Sequence, residues 1–207
     1  MNRQKAKSAV ITVGDGRGFV VNGRTYFPGG PPDRLIITAA HCLPFFPPCH
    51  GGSYLEEKTY KKLLGLIGSE PTVWAECLFA DPIADIAILG SPDDQALWDQ
   101  ADEYKALVES TSPLSIADAP KLGHGWMMSL DGKWFRCKVE IINDGPLCVS
   151  EMTQPIEGGM SGSPIISDKA AALGVVCLSD DSLDSVAVSN PRLVRSLPGW
   201  FLQFHNI

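Results

Sequence analysis

The sequence predicts an all-β, loop-rich fold in two halves, and three observations carry that expectation. Prolines (16) and glycines (20) recur between short apolar runs of the 207-residue chain, which is the punctuation of strands and turns rather than of a helical bundle. Runs such as Leu35-Ile36-Ile37 are continuously apolar, as expected of strands buried on both faces. Ser110-Thr111-Ser112-Pro113 interrupts the pattern in mid-chain, and divides the chain into residues 8–112 and 113–207.

The elements follow in order. Residues 2–7 are the densest basic group and read as a solvated tail. Residues 8–13 and 18–21 read as strands around a glycine-rich turn over 14–18. Asn22-Gly23 is a hairpin signal, after which residues 24–27 resume the extended pattern and 28–33 turn. Residues 34–38 form a strand that delivers Ala39-Ala40-His41 to its end. An irregular loop over 44–52 leads to 54–68, where Leu63, Leu64 and Leu66 suggest a short helix. Residues 72–80 are strand-like and stop at Asp81-Pro82, and 86–89 form the next strand.

Leu97, Ala101, Tyr104 and Val108 then recur at helical spacing behind the acidic start Pro92-Asp93-Asp94, predicting an amphipathic helix over 94–109. In the second half, residues 114–116, 125–128, 134–142, 147–149, 165–166, 172–178 and 185–188 read as strands. Leu193, Leu197, Phe201 and Phe204 predict a short C-terminal helix, interrupted at Pro198-Gly199.

Composition excludes several functions. A formal net charge of −7 argues against nucleic acid as the main partner, because phosphate binding needs a basic face. No run approaches the roughly 20 apolar residues of a membrane span. The apolar run after the basic start is stopped by Gly14-Asp15-Gly16, too early for a secretory signal. A cytoplasmic location is the expectation, or else a leader has been removed.

Six cysteines, Cys42, Cys49, Cys77, Cys137, Cys148 and Cys177, contain no C-x-x-C pair. Buried thiols and disulfides both stay open for them. Cys42, Cys49, His50 and Cys77 match no common zinc spacing, so neither a metal nor a cofactor is expected.

The chemistry concentrates in three segments. Gly159-Met160-Ser161-Gly162-Ser163-Pro164 places a serine between glycines at a sharp bend before an apolar run. Such a bend leaves the hydroxyl free and lets neighbouring N–H groups converge on an oxyanion. Upstream, Thr38-Ala39-Ala40-His41-Cys42 and Asp85-Ile86-Ala87-Ile88-Leu89 each set a triad residue beside a strand-like run. A serine hydroxyl needs a general base in contact. Imidazole suits the role because it titrates near neutrality, and a carboxylate on Nδ1 turns Nε2 toward the serine. His41, Asp85 and Ser161 are therefore the candidate catalytic residues, with the N–H groups of Gly159 and Ser161 as oxyanion donors. Each alone has an ordinary structural explanation: a core histidine, a turn-capping aspartate, a turn serine. Their joint occurrence in the order His, Asp, Ser carries the assignment. His50, His124 and His205 are weaker bases because none ends a buried strand, with His124 read as a surface turn residue. Asp81 is the nearest rival of Asp85.

On these three motifs the chain resembles the chymotrypsin/trypsin-like serine proteases, and in particular bacterial members with the Gly-x-Ser-Gly-Ser-Pro form. The resemblance spans about residues 8–203. It implies two packed six-stranded antiparallel β-barrels, the active site in the cleft between them, a linker helix and a closing C-terminal helix. It departs from the family in three places. No cysteine precedes Cys42, so the bridge that secreted relatives make there cannot form, which favours a reducing compartment. Met160 stands where zymogen-type relatives carry an aspartate, implying activation without an N-terminal cut. Pro155 stands where trypsin-like relatives carry the pocket carboxylate.

The resemblance further implies that Val176, Cys177, Leu178 and Ser179 line the substrate pocket, giving it an apolar wall. Asp180, Asp181 and Asp184 lie close by and leave a basic preference open; the expectation is an uncharged P1 residue. The function expected is a trypsin-like serine protease, a hydrolase performing limited proteolysis inside the cell through an acyl-enzyme. Its expected partners are a protein or peptide substrate and a regulatory protein, with neither nucleic acid nor membrane. A catalytically silent peptide- or protein-binding module on the same scaffold is the alternative, and an esterase is a third reading of the same triad.

Overall fold

The computed structural model describes residues 2–23, 32–47, 55–177 and 187–203. Expectations that rest on 24–27, Cys49, His50, Leu178, Ser179, Asp180, Asp181, Asp184, 185–186, Phe204 and His205 lie outside the described residues.

The first six strands close into a barrel. β1 (Val10–Val13) and β2 (Gly16–Asn22) pair with Val13 opposite Gly16, so the turn between them shrinks to Gly14-Asp15. Gly14 takes a φ of +53° there, a left-handed conformation that glycine adopts without strain. Arg17, expected in the turn, is thus a strand residue. The ladder runs up to Asn22-Gly23, so no two-residue turn forms there. Asn22 pairs with Arg34 of β3 (Arg34–Thr38), and the Gly23 N–H donates to Asp33 O at 2.6 Å.

β4 (Thr59–Leu66), β5 (Val73–Asp81) and β6 (Ile86–Gly90) complete the closed order β1-β2-β3-β6-β5-β4. Phe19, Ile36, Ile37, Leu64 and Ile88 are all fully buried, so both faces of its strands are covered.

Two local expectations are overturned by tertiary contacts. The basic N-terminus is a helix, α1 (Arg3–Lys7), capped by the Asn2 side chain on the Lys5 N–H. Five residues cannot hold a helix by propensity. This one docks on the second half of the chain, with Ala6 fully buried, Trp134 Nε1 donating to Arg3 O at 2.9 Å, and the Arg3 guanidinium 3.6 Å above the Trp126 ring.

Among the described residues of 54–68 only α2 (Leu55–Lys58) is helical, and Leu63, Leu64 and Leu66 belong to β4. An unpaired β1 edge would leave a row of main-chain groups unsatisfied. β4 satisfies it, with Ile11, Thr12 and Val13 opposite Leu66, Gly65 and Leu64. Lys62 at φ +51° and a register shift between Tyr60 and Leu64 bend the strand. Tyr60, Leu63 and Leu64 therefore point inward while Lys61 and Lys62 face solvent.

The linker helix α3 (Trp98–Glu109) starts four residues later than expected, because Asp93 is spent on a turn ahead of it. Its Oδ1 accepts from the Gln95 N–H at 2.8 Å, and its carbonyl accepts from the Leu97 N–H at 2.8 Å. Arg34 Nη1 donates to Val108 O and Thr111 O at 2.8 and 2.7 Å, supplying a cation where the last helical carbonyls need donors. Beyond it Leu114 bridges to Val21, and Ile116 bridges to Ala172, so the crossing segment is stitched to both halves.

The remaining strands are β7 (Leu122–Met128), β8 (Trp134–Ile141), β9 (Leu147–Ser150), β10 (Pro164–Ile166), β11 (Ala172–Val175) and β12 (Val188–Asn190). They form an antiparallel six-stranded half-barrel in the order β11-β10-β7-β8-β9-β12. Met127, Phe135, Val139, Leu147, Met160, Ile165 and Val176 pack beneath it.

His124, expected in a turn, stands exposed in β7 opposite Lys138. The C-terminal helix is two short pieces, α4 (Leu193–Ser196) and α5 (Gly199–Gln203). Pro198, which has no N–H to donate, sits at the break.

Candidate active site

Strand pairing brings His41 to Asp85. β3 and β6 are antiparallel with Thr38 opposite Ala87, so the end of β3 lies beside the start of β6. From there a short 3₁₀ turn, Ala40–Cys42, buries Ala40 and Cys42 and turns His41 outward, its side chain 46% exposed. Asp85, immediately before β6, has a φ of +53°.

Both of its carboxylate oxygens are engaged by His41. Nδ1 lies 2.7 Å from Oδ2, and the His41 N–H donates to Oδ1 at 2.9 Å. An ionised carboxylate only accepts, so Nδ1 carries the proton and Nε2 presents a lone pair to the cleft. The rival Asp81 is occupied elsewhere, since its Oδ1 accepts from the N–H groups of Ile83 and Ala84.

The second half supplies the serine. Gly158 and Gly159 are the central pair of a turn closed by Met160 N–H to Glu157 O at 3.1 Å, and Gly159 sits at φ +89°. Met160 anchors the turn from below. It is fully buried in the second core, and its sulfur accepts the Glu157 N–H at 3.3 Å. Gly162 N–H donates to Val176 O at 2.6 Å, and Val176 N–H to Ser163 O at 2.9 Å. Among the described residues, the N–H groups of Gly159 and Ser161 and the Ser161 hydroxyl have no hydrogen-bond partner. Two donors and a hydroxyl therefore stand uncommitted on one turn.

His41 and Ser161 share no hydrogen bond, and first-barrel residues hold this turn against the segment that carries His41. The Arg17 N–H donates to Ser161 O at 2.7 Å. A Cβ on Gly16 would meet Cys42 Sγ at 2.6 Å and Ser161 O at 2.8 Å, so the Ser161 main chain and the residue after His41 share one small space. From the other side, Cys177 Sγ donates to Asp85 O at 3.1 Å, and the Cys177 N–H donates to the buried Asn190 side chain at 3.0 Å.

Gly162 is the tightest point. At φ +80°, an added Cβ would fall 1.7 Å from Arg17 O and 2.6 Å from Thr38 Oγ1. Gly162→Ala is expected to lower stability by about 3–5 kcal/mol, combining overpacking with left-handed strain. Gly158→Ala, where nothing lies within 4 Å, should change it by less than about 1 kcal/mol. Denaturant midpoints of the two variants check this, and equal midpoints would contradict it.

Of the residues expected to line a pocket, Val176 is buried in the second core and Cys177 turns its sulfur to Asp85. Pro155 is exposed. The Cys177–Asp85 contact joins segments far apart in the chain, and no local pattern announces it. The same holds for Arg17, which sequence reading had only as a turn residue.

The five described cysteines, Cys42, Cys77, Cys137, Cys148 and Cys177, are free thiols. Burial pushes Cys42 up to about 11 and Cys137 up to about 12, and raises Cys177 as well. Those beside His41 and Asp85 are therefore protonated at neutral pH and are poor nucleophiles. Among the described residues no three His, Cys, Asp or Glu side chains gather where a metal ion could bind, and no helix is long and apolar enough to cross a membrane.

No family model matches this chain, and no curated protein matches it. Solved structures do. The chain is similar to the crystal structure of the Rv3671c protease in its inactive form, with a TM-score of 0.55 and 17% identity over 98% of this chain and 91% of that one. It is likewise similar to the inactive form of a serine-to-alanine mutant of Rv3671c from M. tuberculosis, with a TM-score of 0.54 and 18% identity over 97% and 88%. One closed six-stranded barrel packed with a six-stranded half-barrel is thus a chymotrypsin-like fold.

Proposed function

We propose that the protein is a serine endopeptidase that cleaves peptide bonds through an acyl-enzyme. The observation that carries this reading is the two-point hold of Asp85 on His41, at 2.7 and 2.9 Å, beside a turn whose serine hydroxyl and two N–H groups are uncommitted. Ser161 Oγ attacks the scissile carbonyl while His41 Nε2 takes its proton. Negative charge builds on the carbonyl oxygen, where the Gly159 and Ser161 N–H groups donate to it. The proton held on Nε2 then passes to the leaving amine, leaving Ser161 esterified. Water activated by the same nitrogen releases the acid. Asp85 keeps the proton on Nδ1 throughout and stabilises the imidazolium that forms.

Two features shape what the enzyme would accept and where it would act. Pro155 supplies no carboxylate to a primary pocket, which supports an uncharged P1 residue. Cys42 is a free thiol with no cysteine before it in the sequence, which supports function in a reducing compartment. We read the chain as performing limited proteolysis on protein or peptide substrates, under control by a partner protein.

A fluorophosphonate probe tests the reading. Folded protein is expected to be labelled at Ser161 and nowhere else, as read by peptide mass spectrometry. Folded protein that stays unlabelled would instead be a binding module on this scaffold.

A further inference from the structure

Arg17 lies in β2 and is 5% exposed. No carboxylate pairs with it among the described residues. Its guanidinium is met by main-chain carbonyls alone. Nη1 donates to Met128 O at 2.9 Å and Ser129 O at 3.1 Å, and Nη2 donates to Leu130 O at 3.3 Å. A buried cation without a counter-ion is a poor way to stabilise a core, so its placement demands another explanation. The three carbonyls lie where β7 ends and the chain turns toward β8. Leu130 leans on the turn from there, its Cδ2 3.5 Å from where a Cβ on Gly159 would stand.

The main chain of the same residue touches the site directly. Its N–H donates to Ser161 O at 2.7 Å. Its carbonyl accepts the Thr38 hydroxyl at 2.6 Å and abuts Gly162, and Thr38 ends the strand that leads to His41. One residue therefore joins the His41 strand, the Ser161 turn and the 128–130 segment that walls Gly159.

We propose that Arg17 is a positioning residue: its side chain clamps 128–130 of the second half onto the first barrel, so that Ser161 and the oxyanion donors keep register with His41. The proposal rests on Ser161 being the nucleophile, and it assigns Arg17 no contact with substrate.

The test compares Arg17→Met and Arg17→Lys in the full chain by two readouts. The first is the rate of fluorophosphonate labelling at Ser161, with kcat and KM on any cleaved peptide. Arg17→Met is expected to label about 30–100-fold more slowly, the order of loss a small misplacement produces, with the change in kcat and not in KM. Arg17→Lys, which keeps a cation that can reach the same carbonyls, should recover to within about fivefold of the wild-type rate. The second readout is peptide-level amide exchange. Residues 157–163 and 128–130 should exchange faster in Arg17→Met while residues 34–38 stay protected.

Wild-type labelling by Arg17→Met, an equal defect in both variants, or loss of protection spread evenly through the barrel would overturn the proposal. If Arg17→Met does not fold, the uncharged and shorter Arg17→Gln takes its place in the same measurements, with wild-type protection at 157–163 and 128–130 and an unchanged labelling rate as the overturning result. Should the wild-type protein itself resist labelling, the nucleophile reading fails. The exchange data then show separately whether the clamp exists.

Discussion

Ser161→Ala is expected to lower peptide turnover by about 10⁶-fold, roughly 8 kcal/mol of barrier, with the unfolding midpoint little changed. The two halves of that expectation have different origins. Activity falls because the described residues offer no second reactive nucleophile beside the turn. Cys42 and Cys177 are the nearest described thiols, and burial keeps both protonated. Stability holds because the hydroxyl bonds to no described residue, while the bonds that fix the turn run through the Ser161 carbonyl and the Gly162 and Val176 amides. Progress curves at high enzyme concentration, together with a denaturant titration, measure both. Residual turnover within a hundredfold of wild type would place the nucleophile elsewhere.

Asp85→Asn should cost about 10⁴-fold in kcat with little change in KM. The amide oxygen can still accept the His41 N–H as Oδ1 does now, so the loop keeps its course. The amide nitrogen, however, donates where Oδ2 accepts. Nδ1 must then become the acceptor, the proton moves to Nε2, and the proposed nucleophile would meet a donor instead of a base. Nitrogen-15 NMR of the histidine ring reads this directly, with the proton on Nδ1 in wild type and on Nε2 in the variant. A kcat within tenfold of wild type, or an unchanged tautomer, would show that Asp85 is a loop anchor and no more.

What the sequence reveals and what it hides divide along a physical line. β3 is legible to its ends because a strand buried on both faces must be continuously apolar, and Leu35-Ile36-Ile37 is. The same pairing that places Thr38 opposite Ala87 makes His41 and Asp85 neighbours, so two motifs at strand ends suffice to anticipate their contact. β4 is hidden because the bend at Lys62 breaks its alternation and leaves three leucines that fit a helix equally well. Only the need to close the barrel on β1 decides the matter. α1 is hidden because its stability resides in Trp126 and Trp134, more than a hundred residues away. Arg17 is hidden most deeply, since an arginine in a short polar stretch ordinarily faces water. Here its partners are carbonyls, which carry no mark in a sequence.

The threading of these contacts also orders events during synthesis. His41 and Asp85 are made first and can pair as soon as the barrel closes, but the residue that Arg17 awaits is 161, and the strand end that holds Gly162 is 176. Asn190, which braces Cys177 behind Asp85, is later still, and α1 has no surface to dock on until Trp134 has emerged. At a synthesis rate of roughly 5–20 residues per second, His41 and Asp85 can be paired for several seconds before the Ser161 turn is made. In a chain of this layout the Ser161 turn can dock on the His41 segment only after residues 161–177 have been made.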